Sequence, residues 1–360
     1  MAHKILLAAG GTGGHLFPAY AVALGLKAKG HDVYLMIDKR AASFQQEIEG
    51  VSVISMPMGP KAPGIGGILK FILSLLRSTF FALRTLLRLN PNVIVGFGGY
   101  PTFPLLVVST FFSIPKILHE QNACLGRVNR WFVRDNTYLA LSFPETKNVF
   151  QAAQSKTTIV GMPLRPPILA LQSLPYTPPQ KEGPFSLLIL GGSQGTQIFG
   201  KVIPEALGLL PKALQKNLHV IHQVRAQHLD FVQKWYESME INATVAPFFT
   251  AMETLLSQAH LVISRSGASS TWEVIVAKRP TLFIPLPSAK DDHQTYNAHY
   301  VVKSRGAWLM PQEELTSQKL SKFLEKLMEN PDMLTAAAHC LEMLAPPNAT
   351  DKLIDLIEHV

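Results

Sequence analysis

Short apolar runs recur along the chain, separated by longer stretches in which apolar residues return every three or four positions. In the first half the runs are Lys4–Ala9, Val33–Ile37, Val51–Met56, Val93–Phe97, Lys116–Leu118, Tyr138–Ser142 and Thr158–Val160. Each has strand length and the stretches between them have a helical period. The alternation predicts a parallel sheet with crossover helices. Over 161–183, "GMPLRPPILALQSLPYTPPQKEG", prolines accumulate and the period lapses, which predicts a linker. The pattern restarts with "FSLLILGGSQGTQIFGKVIPEAL" and continues through Leu218–Gln223, Thr244–Ala246, Leu261–Ser264 and Pro280–Ile284. The expected architecture is α/β: two doubly wound, Rossmann-like domains, 1–160 and 184–340, facing each other across a cleft. Residues 341–360 read as a helix returning towards the N-terminal domain. A length of 360 residues suits two domains better than one.

The polar interruptions fall at strand ends, where open α/β sheets bind ligands. The first strand runs into "GGTGGH". A dinucleotide fingerprint could start at Gly11 and Gly13, but its third glycine would fall on Leu16. The loop ends instead in His15, and imidazole moves a proton near neutral pH. Gly13 and Gly14 could offer backbone N–H groups to a phosphate; the plainer alternative is a tight turn with His15 as a cap. "LGGSQGTQ" repeats the device in the second half, with Ser193 able to offer N–H and hydroxyl. "GFGGYPTFP" (96–104) is a third such end: a tight bend before a helix, or the completion of an anion site. "HEQNACLGRVNR" (119–130) brings acid, base and amide groups together, although Glu120 could simply pair with Arg127 or cap a helix. In "SRSGASSTWEVIVAKRP" (264–280), Glu273 could accept both hydroxyls of a ribose or merely favour a helix dipole. Asp291, Asp292 and His293 are adjacent, a spacing that rarely closes a metal site. No D-x-D occurs, so the cation clamp of many sugar-nucleotide enzymes is absent.

Composition changes the picture in one region. The chain is 47% hydrophobic with a net charge of +8, a balance open to nucleic acid, anionic lipid or phosphorylated substrates. Two cysteines form no framework and suit a reducing cytosol. The N-terminal apolar run is too short for a signal peptide. No uncharged apolar stretch reaches the roughly 18 residues of a spanning helix. Between Glu49 and Glu120, however, no acidic residue occurs, and "KAPGIGGILKFILSLLRSTFFALRTLLRLNPN" places Lys70, Arg77 and Arg84 seven apart, with Arg88 four later. On a helix these make one cationic stripe amid apolar side chains. One reading is a crossover helix with a solvated basic edge. The preferred one presses that helix on an anionic membrane surface, because the apolar arc is wider than one sheet contact needs. High apolarity and few exposed-looking aromatics argue against nucleic acid.

"GGTGGH", "GFGGY", "HEQN", "VGMPLR", "GGSQG", "SRSGA" with Glu273, and "HQTYNA" together resemble, in order and spacing, the MurG family of UDP-N-acetylglucosamine transferases of peptidoglycan synthesis. The likeness runs through "PNATDKLIDLI", essentially the whole chain. It implies a glycosyltransferase B fold, with the lipid-linked acceptor on the N-terminal half and UDP-N-acetylglucosamine on the C-terminal half. Thr12, Gly13 and Gly14 would approach the donor sugar and diphosphate. Asn122, Arg165, Ser193, Gln194, Gly195 and Gln294 match donor-binding positions, Glu273 matches the ribose-binding carboxylate, and Phe249 falls at a donor-binding position where the family often has an aliphatic residue whose backbone contacts uracil. Position 293 departs from the pattern: His293 stands where many members have glutamine, though histidine can also donate.

The resemblance also implies inverting attack by the C4 hydroxyl of undecaprenyl-pyrophosphoryl-N-acetylmuramoyl-pentapeptide, with His15 as base and Glu120 as the alternative. No cofactor is expected to be tightly bound, and a divalent cation (Mg or Mn) on the acceptor diphosphate stays open. The implied location is peripheral, at the cytoplasmic face of a bacterial inner membrane, with Lys70, Arg77, Arg84 and Arg88 docking. Rival readings are a sugar-nucleotide transferase acting on another lipid and a non-catalytic sugar-nucleotide binder. A nicotinamide oxidoreductase is disfavoured by the missing third glycine.

Overall fold

The computed structural model describes residues 2–10, 13–38, 50–59, 64–134, 137–150, 156–192, 196–345 and 348–360. The chain divides into two compact units, Met1–Arg165 with Pro346–Val360, and Pro166–Ala345.

The first unit holds strands β1 (Lys4–Ala9), β2 (Asp32–Asp38), β3 (Ser52–Met56), β4 (Val93–Gly96), β5 (Lys116–Glu120), β6 (Thr137–Leu141) and β7 (Thr157–Ile159). All pair in parallel, in the order β3-β2-β1-β4-β5-β6-β7. The seven apolar runs of the first half are these seven strands. Their order reverses between β1 and β4, so the C-terminal ends of those two strands open the crevice where ligands bind in such sheets.

Strand periodicity sets the two layers of the core. Ile5, Leu7 and Ala9 of β1 face α1 (Gly13–Ala28), whose Leu16, Ala19, Val22 and Leu26 are fully buried. Leu6 and Ala8 face the other way, onto Ala82 and Leu86 of α2 (Ile65–Leu89) and Leu105 of α3 (Phe103–Ser109). The short helix α4 (Arg127–Phe132) follows β5.

Helix α2 ends at Asn90, which takes the left-handed conformation (φ 44°) and donates its N–H to Leu86 O, and Pro91 prevents continuation. By length and composition Gly66–Leu89 is long and apolar enough to cross a membrane, which a count of uncharged residues alone does not anticipate. Its buried face argues against crossing. Ser78, Ala82, Thr85 and Leu86 are part of the domain interior, and moving the helix into lipid would strip the sheet on that side. The opposite face is bare. Ile68, Leu69, Ile72, Leu73, Leu76, Phe80 and Leu87 are all exposed, beside exposed Lys70, Arg77, Arg84 and Arg88.

The second unit begins with α5 (Pro166–Leu169) and a 3₁₀ turn at Ala170–Ser173. The sequence reading of 161–183 as a linker therefore needs correction. Ile168 and Leu171 are buried, Lys278 donates to Gln172 O at 2.7 Å, and Tyr176 donates to His260 O at 2.9 Å. Prolines remove the helical period there without freeing the chain. Strands β8 (Phe185–Leu190), β9 (Leu218–Gln223), β10 (Asn242–Ala246), β11 (Leu261–Ser264), β12 (Thr281–Phe283) and β13 (Ala307–Leu309) form a parallel sheet in the order β10-β9-β8-β11-β12-β13. Its reversal lies between β8 and β11. Helices α6 (Gln197–Gly208), α7 (Lys212–Lys216), α8 (Leu229–Ser238), α9 (Met252–Gln258), α10 (Ala268–Val276), α11 (His293–Lys303), α12 (Ser317–Glu329) and α13 (Pro331–Leu344) cover it.

The last helix, α14 (Ala349–His359), belongs to the first unit and packs on α1. Leu353, Ile354 and Ile357 are buried against α1, and a Cβ on Gly25 would lie 2.5 Å from Ile354 Cδ1. Glu358 accepts from Lys29 at 2.8 Å and bonds His31 Nε2 at 2.9 Å. The bond from Lys29, then that from His31, holds its carboxyl below the usual carboxylate range.

Candidate active site

In the first unit the reversal point is built from two crossing glycine loops. Phe97 N donates to Ala8 O (2.8 Å) and Gly10 N donates to Gly98 O (3.2 Å), which locks the ends of β1 and β4 together. Gly98 and Gly99 have φ of +81° and +82°, a region that side chains rarely occupy. His15, in the first turn of α1, lies with its ring on this floor. A Cβ on Gly10 or Gly99 would come within 3.2 or 3.3 Å of His15 Cδ2. "GFGGY" thus serves as the seat of the imidazole. Thr12 lies outside the described residues. A Cβ on Gly13 would lie 2.9 Å from Phe17 Cε2 and force that ring to shift, whereas a Cβ on Gly14 would face open space. The guanidinium of Arg165 stacks 4.8 Å over the Phe17 ring.

The "HEQN" segment ends β5 beside this seat, and its residues divide by strand alternation. Gln121 Oε1 accepts from His15 Nδ1 at 2.9 Å. Gln121 Nε2 lies 3.0 Å from His119 Nδ1, and His119 Nε2 lies 3.2 Å from Gly161 O. Both residues are buried. Burial lowers His119 to a pKa of about 4, so it stays neutral at physiological pH.

Glu120 points the other way. Its Oε1 accepts from Asn122 N (3.1 Å) and Asn122 Nδ2 (3.2 Å), and its Oε2 accepts from Gly126 N and Asn129 Nδ2, both at 2.8 Å. Four donors fill the acceptor capacity of a carboxylate that is 2% exposed. Glu120 is therefore a clamp that folds the loop onto α4, not a base open to substrate, and the expectation of a catalytic alternative at 120 is corrected on that ground. Asn122, expected near the donor, is anchored by the same clamp.

In the second unit Gly192 (φ +79°) follows β8 and Thr196 precedes α6; Ser193, Gln194 and Gly195 lie outside the described residues. Arg265, which the sequence reading passes over inside "SRSGA", anchors this end of the sheet. Its Nη1 donates to Ile284 O and Pro285 O (both 2.8 Å), and its Nη2 donates to Thr196 Oγ1 (3.0 Å) and Gln312 Oε1 (2.5 Å). Burial pulls its pKa down to about 10, so it remains a cation. An arginine directly after a strand that ends at a reversal point is the available signal.

Gln294 Oε1 accepts from Leu286 N at 3.0 Å, which leaves its amide N–H groups as the ones to offer a ligand. Ser266 Oγ donates to Gln294 O (2.8 Å) and Asn297 Nδ2 to Ser266 O (3.0 Å), so "SRSGA" and "HQTYNA" hold each other. His293 Nδ1 donates to Lys290 O at 2.7 Å, so a neutral His293 presents Nε2 as an acceptor. The expectation that it donates as glutamine does fails for that tautomer. Glu273 is half-buried in the second turn of α10, past the first turn in which a helix dipole acts. Phe249 is half-buried between β10 and α9.

Comparison with known proteins agrees with this arrangement. Residues 5–140 match the glycosyltransferase family 28 N-terminal domain and residues 186–353 the glycosyltransferase family 28 C-terminal domain. The chain is 40% identical over 353 residues to the UDP-N-acetylglucosamine--N-acetylmuramyl-(pentapeptide) pyrophosphoryl-undecaprenol N-acetylglucosamine transferase of Rhodospirillum centenum, covering 98% of this chain and 93% of that protein. It is 41% identical to the transferase of the same name from Chelativorans sp., covering 99% and 95%. The crystal structure of Acinetobacter baumannii MurG matches with a TM-score of 0.79 at 30% identity, over 100% of both chains. A kitacinnamycin glycotransferase, at 18% identity and TM-score 0.71, shares the fold.

Proposed function

Because the chain belongs to glycosyltransferase family 28, among the transferases that place N-acetylglucosamine on N-acetylmuramyl-(pentapeptide) pyrophosphoryl-undecaprenol, we propose that His15 is its general base and α2 its membrane-docking face. The protein is a glycosyltransferase of the B fold, and its substrates are UDP-N-acetylglucosamine and that lipid-linked acceptor. The observation that carries the base assignment is the seat of His15. The ring lies at the sheet's reversal point on a floor of glycines with Nδ1 engaged by Gln121, and we take Nε2 to be the nitrogen that meets substrate. In our reading the acceptor C4 hydroxyl gives its proton to Nε2 as its oxygen attacks the anomeric carbon, and UDP leaves from the opposite face with inversion. The N-terminus of α6 and the fixed cation Arg265 stabilise the charge that develops on the departing diphosphate. Gln294 and Glu273 bind the donor, through amide N–H groups and ribose hydroxyls respectively.

The acceptor's lipid requires the enzyme to work at a membrane, and the exposed apolar and basic stripes of α2 are the surface suited to one. We place the protein peripherally, at the cytoplasmic face of a bacterial inner membrane. The test of the reaction is transfer of radiolabelled N-acetylglucosamine from UDP to a short-chain muramoyl-pentapeptide lipid analogue. His15→Ala should lose on the order of 10²–10⁴-fold in kcat while donor affinity is kept. No transfer by folded wild type would overturn the reading, and full turnover by the variant would remove His15 from the chemistry.

A further inference from the structure

A neutral imidazole has one nitrogen that donates and one that accepts, and only the accepting one can serve as a base. Which is which in His15 is decided at the far end of a chain of contacts. Gly161 O, at the inner end of that chain, can only accept. It lies 3.2 Å from His119 Nε2, so that nitrogen carries the proton. Ser142 Oγ, 3.3 Å from the same nitrogen, is also 3.2 Å from Gly161 O and 3.7 Å from Met162 S, and can donate to either acceptor. His119 is neutral, so its Nδ1 must accept, and the group facing it at 3.0 Å is the Gln121 amide nitrogen. The same nitrogen also donates to His119 O at 3.1 Å, which independently fixes the amide orientation, because a carbonyl cannot donate. Gln121 therefore turns its oxygen to His15, and an amide oxygen 2.9 Å from Nδ1 requires a proton there. Reversing the amide would set its oxygen against the His119 carbonyl and drive acceptor against acceptor.

We propose that Gln121 and His119 are positioning residues forming a hydrogen-bond relay, Gly161 O to His119 to Gln121 to His15, that holds His15 as the Nδ1–H tautomer and keeps the Nε2 lone pair for the acceptor hydroxyl. The use of that lone pair rests on the function proposed above; the tautomer itself does not. When Nε2 takes the hydroxyl proton, an O–H bond breaks, an N–H bond forms and the ring becomes a cation. Its Nδ1–H then makes a charge-assisted bond to Gln121, stronger than the one in the resting state. The relay thus orients the base before reaction and stabilises it during reaction.

The experiment is ¹⁵N NMR of the full chain with labelled histidine, alongside transfer kinetics, for wild type, Gln121→Leu, His119→Gln and His119→Leu. Wild-type His15 should show a protonated Nδ1 and a bare Nε2. Gln121→Leu should move the proton largely to Nε2 and lower kcat by about tenfold or more, with donor KM changed less than about twofold. His119→Gln, which can still accept from Gln121 and donate to Gly161, should lose less than His119→Leu. A wild-type His15 protonated at Nε2 would overturn the relay, and so would a Gln121→Leu protein that keeps the Nδ1–H signature. Should Gln121→Leu not fold, the wild-type spectrum and the ordering of the two His119 variants decide. A wild type with the expected tautomer, displaced in Gln121→Leu, but without transfer activity would support the relay and sink the proposed function.

Discussion

The bare face of α2 permits a quantitative test, because its two binding contributions respond differently to salt. Arg77 and Arg84 lie on one stripe, seven residues apart, and both are exposed. Each basic side chain near an anionic leaflet contributes about 1 kcal/mol. Arg77→Gln with Arg84→Gln should therefore cost about 2 kcal/mol, or roughly 30-fold in vesicle affinity. Leu73 and Leu76 are 58% and 62% exposed, roughly 20–40° and roughly 80–100° around the helix from Arg77 and Arg84. Full burial of a leucine contributes about 1.5–3 kcal/mol, so the exposed part of each is good for about 1–2. Leu73→Ser with Leu76→Ser should then lose about 2–4 kcal/mol in total. The assay is co-sedimentation with vesicles with and without anionic phospholipid, at low and high salt. The arginine effect should vanish in neutral vesicles and shrink in salt, since a Debye length of about 8 Å or less screens exposed charges. The leucine effect should survive both. The arginine pair should move unfolding stability by no more than about 0.5 kcal/mol, the leucine pair, each side chain partly packed, should cost about 1–2 kcal/mol of it, and turnover on a soluble acceptor should hold for both. Unchanged vesicle binding in both double variants would refute docking through α2.

Other parts of the structure give equally direct outcomes. Gly99→Ala places a Cβ 3.1 Å from Gly10 Cα at φ +82°, ψ 152°, and should cost about 1–3 kcal/mol of stability and lower kcat by tilting His15; a variant with wild-type melting and turnover would contradict the glycine seat. Glu120→Gln puts an NH₂ group against donors that now have an acceptor, with an expected loss of about 1–3 kcal/mol for each of two stranded N–H groups, read by denaturant titration. A Glu120→Gln protein as stable as wild type but inert would restore Glu120 as the base. Glu358, with its carboxyl held below its ordinary value of 4.5, adds stability that is present above that value and is lost as pH falls through the lower folded one. Glu358→Gln should melt below wild type at neutral pH, with the gap closing under acid conditions; a gap that does not shrink at all as pH falls below the ordinary carboxylate value would mean the Lys29 bond does not hold α14.

What is legible in the sequence follows from where the physics is local. A strand covered on both faces writes itself as a nearly unbroken apolar run, as β1 and β4 do, while the edge strands β3 and β7 are partly exposed and mix Ser or Thr with their apolar residues. Strand β13 is not legible, because three residues, "AWL", carry too little pattern. The stretch from Pro166 to Gly183 misleads because proline erases helical period whether the segment is loose or packed, and only the bonds from Lys278 and Tyr176 tell the two apart. The long apolar helix is legible, but which of its faces is bare depends on how α2 lies over the sheet.

The candidate base shows the same limit more sharply. "HEQN" offers His119, Glu120, Gln121 and Asn122 as one chemical cluster, yet a strand separates neighbours by half a turn. If one of the set faces the glycine loops, the residue beside it in sequence faces away. That rule alone divides His119 and Gln121 from Glu120, and it needs nothing but the order of the residues. It does not say which set meets His15. That depends on the parallel register of β5 beside β4, and on Gly126 and Asn129 standing ready to occupy the carboxylate on the far side. A carboxylate next to a histidine is a base or a clamp according to how many donors surround it, and four surround Glu120. The residue with ordinary chemistry, Gln121, is the one that reaches the reacting group, because its two ends have opposite polarity and can pass an orientation from a backbone carbonyl to an imidazole.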